Sequence, residues 1–170
     1  GFGGLINISV PRGAEIGEVK VQIEGAVEAP LYVYGSTSPA DWKASIRRHP
    51  APWAELASDR IIIALPSEFI RDLDNPDELM SAWNRIIEKS AELVAVDRGD
   101  YRPERIVFDR QTAAGSMHSG YPVAAHLTSA GDAVSTEILT REGNWGFFHE
   151  YGHNHQHDLW ALPGTGETTC

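Results

Sequence analysis

Residues 144–167 read NWGFFHEYGHNHQHDLWALPGTGE and contain the pattern H-E-x-x-H, which begins at His149. Residues four apart in a helix lie on one face, so the two histidines of the pattern, His149 and His153, can converge on one metal ion. Glu150 lies about 100° further round the helix axis, where it can act as a general base without binding the ion. The spacing therefore predicts a zinc site on a helix whose N-cap is Asn144.

Zinc at a catalytic site needs a third protein ligand, for which the sequence offers three positions. His157 extends the four-residue spacing, but a continuous helix places it roughly 12 Å beyond His149, too far to reach the same ion. The metzincin pattern requires a glycine and a histidine where this chain has Gln156 and Leu159. Glu167 is the remaining candidate, because the proline and glycines of residues 161–166 end the helix and allow the chain to turn back toward it. We therefore predict a gluzincin-type site with Glu167 as the third ligand.

Several short stretches of the chain resemble one known family. The zinc motif with its downstream glutamate carries most of the resemblance, and the other stretches lie earlier in the chain. They are GGLI at 3–6, VP at 10–11, PWAEL at 52–56, MHSGYP at 117–122, FHEYGHNHQ at 148–156 and GETTC at 166–170. Together they resemble the enhancin-like, mucin-degrading zinc metallopeptidase family over most of the chain. The resemblance implies bound Zn²⁺, protein or glycoprotein substrates that are often O-glycosylated, and a secreted or cell-surface location.

The chain is also similar to animal channel-associated factors. Membership of that branch would imply a degraded zinc motif, whereas His149, Glu150 and His153 are all present in this sequence. We therefore expect the peptidase branch to be the closer match. The resemblance also implies that helices following Cys170 complete the cleft, and a zinc ligand at position 167 needs such support. We expect this stretch to belong to a longer chain and to be inactive as a peptidase on its own.

Composition and charge argue against two classes of partner. The chain has 170 residues, of which 42% are hydrophobic and 22% charged, and this suits one domain with its own core. Its formal charge of −10 argues against a nucleic-acid backbone as partner. The sequence has no run of about 18 apolar residues, which a membrane span would need.

Cysteine usage does not decide the compartment. The single cysteine, Cys170, forms no internal disulfide, which is compatible with the cytoplasm as well as with a secreted location.

The patterning predicts an α+β fold in which N-terminal antiparallel β-strands precede a mixed α/β, zincin-like catalytic part. Segments 5–10, 18–24 and 31–34 are β-branched or alternate apolar with polar residues, and turn residues separate them. We place the domain boundary after residue 35. Residues 1–35 then form a β-rich segment and residues 36–170 the catalytic domain.

The catalytic part reads as helices and strands in mixed order. The predicted elements are a short helix at 39–48, strands at 60–66, 105–109 and 133–139, and a long helix at 76–96. Asn75 and Pro76 suit the N-cap and first position of the long helix. The strand at 133–139 directly precedes the zinc helix, and by analogy with other zinc peptidases an extended substrate would pair with it.

The loop at 111–122 lies between predicted elements, where a rigid scaffold often carries functional groups. Its Tyr121 and His118 are candidates for the donor that stabilises an oxyanion, although a packed loop tyrosine fits the same pattern.

Together these residues predict a zinc endopeptidase that hydrolyses peptide bonds, with Glu150 taking up and returning the proton. The alternative is a non-catalytic module that keeps the fold to bind a glycoprotein or another partner. Glu150 argues against that alternative, because a structural zinc site has no use for a base.

Overall fold

A mixed six-stranded sheet forms the centre of the computed structural model, which describes residues 3–11, 13–95, 102–112 and 115–170. Its strands are β1 (Leu31–Val33), β2 (Trp53–Ala57), β3 (Ile61–Pro66), β4 (Glu104–Asp109), β5 (Met117–His118) and β6 (Val123–His126). Their order across the sheet is β1-β2-β3-β4-β6-β5. Neighbours β1 and β2, β3 and β4, and β4 and β6 are parallel, whereas β2 and β3, and β5 and β6, are antiparallel.

Five α-helices and several short helical turns accompany the sheet in the described residues. The helices are α1 (Pro39–Ala44), α2 (Pro76–Leu93), α3 (Ala130–Ala133), α4 (Trp145–His155) and α5 (Gly166–Thr169). Three 3₁₀ turns lie at Ile46–Arg48, Ser67–Ile70 and Leu127–Ser129, and a π-helical turn lies at Ile138–Glu142. None of these helices is both long and apolar enough to cross a membrane. The fold is thus α+β, as the sequence predicts.

The long helix α2 starts where the sequence predicts and ends early. Pro76 occupies its first turn, and acidic Asp77 and Glu78 follow, where they complement the positive end of the helix dipole. The helix ends at Leu93, because Ala95 has a φ of 54°, a left-handed conformation that a right-handed helix does not contain. The predicted end, residue 96, lies outside the described residues.

An aromatic cluster fixes α4 against α2 and the sheet. Trp83 of α2 lies 5.4 Å from Phe147 and 6.2 Å from Tyr151 between ring centroids, and Phe147 lies 6.0 Å from Phe108 of β4. All four rings are fully buried. The indole N–H of Trp83 also donates to the carbonyl of Ala133 at 2.8 Å, which ties α3 to the same core. Burial of this size makes α4 a rigid base for the residues on its other face.

The predicted N-terminal antiparallel sheet is wrong in its first two strands. No strand occurs in the described residues 3–11 and 13–30, and the third segment forms β1, which pairs in parallel with β2. Alternation makes an apolar face, but a strand also needs a neighbour that supplies ladder hydrogen bonds. Here the alternating side chains, such as Ile8 at 62% exposure, face solvent. The boundary after residue 35 stays a prediction.

The predicted strand at 133–139 is also wrong, because this stretch is helical. It runs from the end of α3 into the π-helical turn. Polar side chains stabilise these turns locally: Ser135 Oγ accepts from the N–H of Ile138, and Thr140 Oγ1 donates to the carbonyl of Thr136.

The other predicted elements are confirmed with small shifts. The strands at 60–66 and 105–109 are β3 and β4, and the helix at 39–48 is α1 followed by a 3₁₀ turn. Residues 53–57, which are not among the predicted elements, form the separate strand β2.

Candidate metal centre

Helix α4 begins where the sequence predicts because Asn144 caps it. Asn144 Oδ1 accepts from the backbone N–H of Phe147 at 3.2 Å, and its Nδ2 donates to Asp132 Oδ2 at 2.8 Å. The first contact satisfies one of the free N–H groups at the helix start, and the second ties that start to α3. Gly143 precedes the cap with a φ of 72°, a conformation that ends the π-helical turn.

The buried side of α4 determines which residues face outward. Phe147 and Tyr151 are fully buried in the aromatic cluster. His149 and His153 lie two positions further along, roughly 200° round the helix axis, so they project from the opposite face. Both histidines are half-buried.

Three side-chain atoms of the predicted ligands form a compact triangle. His149 Nε2 lies 3.1 Å from His153 Nε2, and Glu167 Oε2 lies 3.0 Å from the first and 3.3 Å from the second. A tetrahedral zinc ion with ligands at about 2.0–2.1 Å requires ligand atoms roughly 3.3 Å apart. Two imidazoles and a carboxylate at this spacing therefore fit one zinc ion.

Glu150 lies in a different environment from Glu167, although both are carboxylates near the same histidines. Glu150 is only 9% exposed, whereas the side chain of Glu167 is 82% exposed. When the imidazoles are protonated, hydrogen bonds from His153 and His149 stabilise the Glu167 carboxylate and hold its pKa below the ordinary value. Glu150 is therefore a buried carboxylate of α4, whereas Glu167 is an exposed carboxylate that contacts both histidines from α5.

Gln156, just past the end of α4, contacts both helices of the site. Its Oε1 lies 3.0 Å from His153 Nδ1, and its Nε2 lies 2.6 Å from the carbonyl oxygen of Gly166 in α5. The hydrogen bond with Gln156 is the largest influence that raises the pKa of His153, and Glu167 raises it further.

Cys170 adds a thiol to the same cluster. Its Sγ lies 3.2 Å from His149 Nδ1, 3.9 Å from His149 Nε2 and 3.3 Å from the carbonyl oxygen of Glu167. With His149 and His153 it forms a group compact enough to hold a metal ion. Burial, followed by the negative charge of Glu167, raises the pKa of this thiol.

The absence of a side chain at Gly152 lets Cys170 approach α4. A Cβ at Gly152 would lie 2.0 Å from the carbonyl oxygen of Cys170 and 2.7 Å from its carbonyl carbon. Both contacts are with backbone, so any larger residue would displace the chain that carries Glu167.

The loop that holds the two oxyanion candidates borders α4. Asn154 accepts from the N–H of Gly120 at 2.8 Å and donates to its carbonyl at 3.0 Å, which fixes the loop beside the helix. His118 Nδ1 lies 3.2 Å from the carbonyl of Ser119, and the guanidinium of Arg102 lies 3.4 Å from the ring centroid of Tyr121. These contacts are not with the ligand triangle, so both oxyanion roles stay predictions.

A cleft of about 490 Å³ opens beside the ligand triangle. Its wall is largely apolar and includes Trp145, Phe148 and Trp160 together with His149 and Cys170. Trp145 is 77% exposed and Trp160 is 41% exposed, so aromatic faces are accessible next to the candidate metal site.

An H-E-x-x-H helix packed on a mixed sheet, with a glutamate returning from a following short helix, is the arrangement of a gluzincin-type metallopeptidase domain. The family model of peptidase M60, enhancin and enhancin-like, matches residues 25–170. The chain therefore belongs to the peptidase M60 family.

Relatives that match nearly the whole of this chain include TRPM8 channel-associated factors of vertebrates. The chain is 44% identical to a TRPM8 channel-associated factor homolog of Xenopus laevis and 42% identical to TRPM8 channel-associated factor 2 of Mus musculus. Each match covers 99% of this chain but only 19% and 18% of those proteins. The predicted resemblance to this branch is confirmed, and it is a close one, contrary to our expectation that this branch would be the poorer match.

Solved structures with the same fold include peptidase domains. The M60 catalytic domain of Clostridium perfringens ZmpC, solved in complex with the sialyl T antigen, aligns with a TM-score of 0.69 at 15% identity, over 87% of this chain and 33% of that one. A functionally unknown conserved protein of Bacillus anthracis aligns with a TM-score of 0.73 at 25% identity, over 82% and 31%.

Sequence reasoning did not identify Gln156 or Cys170 as neighbours of the site. Gln156 follows His153 by three residues, and Cys170 follows Glu167 by three. This spacing places a side chain one helical turn from a ligand, and it is the signal that could have found both.

Proposed function

We propose that this chain carries the zinc-binding and catalytic centre of a metallopeptidase that cleaves O-glycosylated, mucin-like proteins, in a secreted or cell-surface host. The observation that carries the proposal is the triangle of His149, His153 and Glu167, whose three ligand atoms lie 3.0–3.3 Å apart. Membership of the peptidase M60 family and the shared fold support it.

The site residues divide into ligands and a base. His149, His153 and Glu167 would hold the ion, and Glu150 would serve as the base. When bound, zinc supplies Lewis acidity, which makes water a nucleophile near neutral pH and polarises a peptide carbonyl. The buried carboxylate of Glu150 accepts the proton of the attacking water and later delivers it to the leaving amine.

Strand β5 is the element that we propose pairs with an extended substrate. It is an edge strand of the sheet and antiparallel to β6. It also packs along α4, since a Cβ at Gly146 would lie 2.9 Å from the sulfur of Met117. A peptide added to the free edge of β5 gains backbone hydrogen bonds and passes beside α4. β5 therefore takes the role that the sequence had suggested for residues 133–139.

The second candidate function is a non-catalytic module that binds a glycoprotein or another protein. The observation in its favour is the 40–44% identity to TRPM8 channel-associated factors, whose names describe association with a channel. The two functions share the fold. They differ in whether Glu150 acts as a general base in peptide hydrolysis.

Metal analysis and a cleavage assay on the same samples separate the two functions. We expect stoichiometric zinc in the parent protein and in Glu150→Gln, and loss of zinc in His149→Ala and His153→Ala. His157→Ala is the matched control, because it removes an exposed imidazole from the same stretch. Cleavage of an O-glycosylated mucin domain by a longer chain that contains this domain, and not by the Glu150→Gln variant of that chain, supports the peptidase. Bound zinc without cleavage in the longest chain that contains this domain supports the binding module.

A further inference from the structure

The side-chain amide of Gln156 makes three contacts, and their chemistry fixes its orientation. Nε2 lies 2.6 Å from the carbonyl oxygen of Gly166 and 2.8 Å from Thr169 Oγ1, and Oε1 lies 3.0 Å from His153 Nδ1. A carbonyl oxygen can only accept a hydrogen bond, so the atom facing Gly166 must be the NH₂ group. The oxygen of the amide therefore faces His153.

This orientation decides which nitrogen of His153 carries the proton in the neutral ring. Oε1 of Gln156 can only accept, so Nδ1 of His153 must donate and carry its hydrogen. Nε2 then keeps a free lone pair, and it is Nε2 that points toward His149 Nε2 and Glu167 Oε2. A metal ligand needs that lone pair.

The same amide also holds the helix that carries the third ligand. α5 has four residues, too few for a helix that is stable by itself. Glu167 is largely exposed, so little burial holds it in place. The two donations from Gln156 reach Gly166 on one side of Glu167 and Thr169 on the other. One side chain thus links a histidine of α4 to the backbone of α5.

We propose that Gln156 is a positioning residue of the metal centre, which selects the Nδ1–H tautomer of His153 and docks α5 so that Glu167 reaches the two histidines. This inference rests on the metal centre of the proposed function. Groups that orient a metal ligand in this way commonly contribute about 10–100-fold to metal affinity.

Zinc affinity and the His153 tautomer are the two readouts. We expect Gln156→Ala to weaken zinc binding about 10–100-fold in a chelator-competition titration. In the metal-free variant, ¹⁵N shifts of His153 should move toward the Nε2–H tautomer, a change that loss of packing alone would not produce. Gln111→Ala is the matched control, because Gln111 is exposed and, within the part of the chain that the structure describes, its one hydrogen bond runs from its backbone N–H to Asp109.

Gln156→Glu separates the selection of the His153 tautomer from the docking of α5. It also provides a second test if Gln156→Ala folds poorly. A carboxylate still accepts from His153 Nδ1, so the tautomer should be retained, but it cannot donate to Gly166, so zinc binding should still weaken.

The inference is overturned if Gln156→Ala binds zinc as tightly as Gln111→Ala, or if the His153 tautomer is unchanged. Retention of zinc by His149→Ala would instead overturn the metal centre itself, so the two failures are distinguishable.

Discussion

Glu150 and Glu167 lie near the same two histidines and differ in burial, which fits the different roles proposed for them as base and metal ligand. Glu150→Gln keeps the size of the side chain but cannot accept a proton. We therefore expect zinc content to be unchanged while peptide hydrolysis falls about 10²- to 10⁴-fold. Glu167→Gln is the comparison, because it removes a ligand charge and should lower zinc affinity first. The assignment is tested by measuring metal content and hydrolysis on the same samples, and loss of zinc from Glu150→Gln would contradict it.

Cys170 has two possible relations to the metal, and its distances favour one. Its Sγ is 3.2 Å from His149 Nδ1 but 3.9 Å from Nε2, whereas Glu167 Oε2 is 3.0 Å from Nε2. We therefore predict that the thiol accepts from Nδ1–H and does not bind the ion. Cobalt-substituted protein should then lack a thiolate-to-cobalt charge-transfer band in the near ultraviolet.

Cys170→Ser is the control for that spectrum, because it keeps a hydrogen-bonding group of similar size and cannot give the band. A band in the parent protein that disappears in Cys170→Ser would make the cysteine a fourth ligand, and the site would then be closed to water.

Asp74, far from the metal centre, should contribute a pH-dependent part of the stability. A hydrogen bond from Arg47 at 2.9 Å, with the charge of Lys43 at 3.6 Å, lowers the pKa of Asp74. Because the folded value is depressed, the contribution is present above the ordinary pKa of 3.8 and is lost as the pH falls through the folded value.

Asp74→Asn should therefore lower the Tm slightly near neutral pH, and the difference should vanish in strong acid and shrink at high salt. Thermal melts across pH check this, with Asp72→Asn removing the same charge from a neighbouring exposed position. An equal Tm loss for both variants at all pH values would count against the Arg47 pairing.

At the scale of the element, substitution of Gly152 should have two opposing effects, one on the stability of α4 and one on the position of α5. Replacing a glycine by alanine in the middle of α4 should stabilise the helix by about 1 kcal/mol. The same methyl group would collide with the backbone of Cys170 and displace α5. We therefore predict that Gly152→Ala keeps or raises the Tm while it weakens zinc binding.

The control for this substitution is Gly131→Ala in α3, where a Cβ would have no neighbour within 4 Å. Both variants are measured by thermal melts and zinc titration. If Gly152→Ala binds zinc as well as Gly131→Ala does, α5 does not need the close approach.

Helix α4 shows why some elements could be predicted from sequence. Asn144, the apolar pair at positions 147 and 151 and the H-E-x-x-H pattern are all local signals, and all agree on one helix. Residues 133–139 carry a weaker signal, because a β-branched run fits a strand only if a neighbour pairs with it. In this fold the run ends α3 and enters a π-helical turn instead.

At the scale of the whole molecule, the first two predicted N-terminal strands do not form for the same reason, namely that no neighbouring strand in the described residues pairs with them. Val19, Val21 and Ile23 alternate as a strand would, yet they are exposed and the sheet does not pair with them. Pairing is set by tertiary structure, which a period-two pattern does not contain. The spacing of ligands predicted which side chains the site brings together, and spacing also places Gln156 near His153. Its contacts with Gly166 and Thr169 depend on where α5 docks and could not be predicted from spacing.

Removal of zinc should make α5 and the end of α4 more mobile and leave the rest of the molecule folded. The aromatic cluster and the buried residues of β3 and α2 make no use of the ligand triangle. We therefore expect chelation to leave the far-ultraviolet circular dichroism nearly unchanged, with faster amide exchange confined to α5 and the end of α4. Hydrogen exchange with and without chelator measures this. Global unfolding on chelation would mean that zinc is structural.

The three candidate ligands lie close together in the chain, and this affects the order in which the protein is made. His153 and Glu167 are 14 residues apart, so bringing them together costs only about 2 kcal/mol of loop-closure entropy. The six strands that the structure describes all precede His149 in the sequence, so they can form on the ribosome before the ligands emerge. Binding of the proposed metal can then follow formation of the sheet. We therefore expect a cell short of zinc to accumulate this domain with its sheet folded and its proposed metal site empty, able to bind zinc when the ion returns.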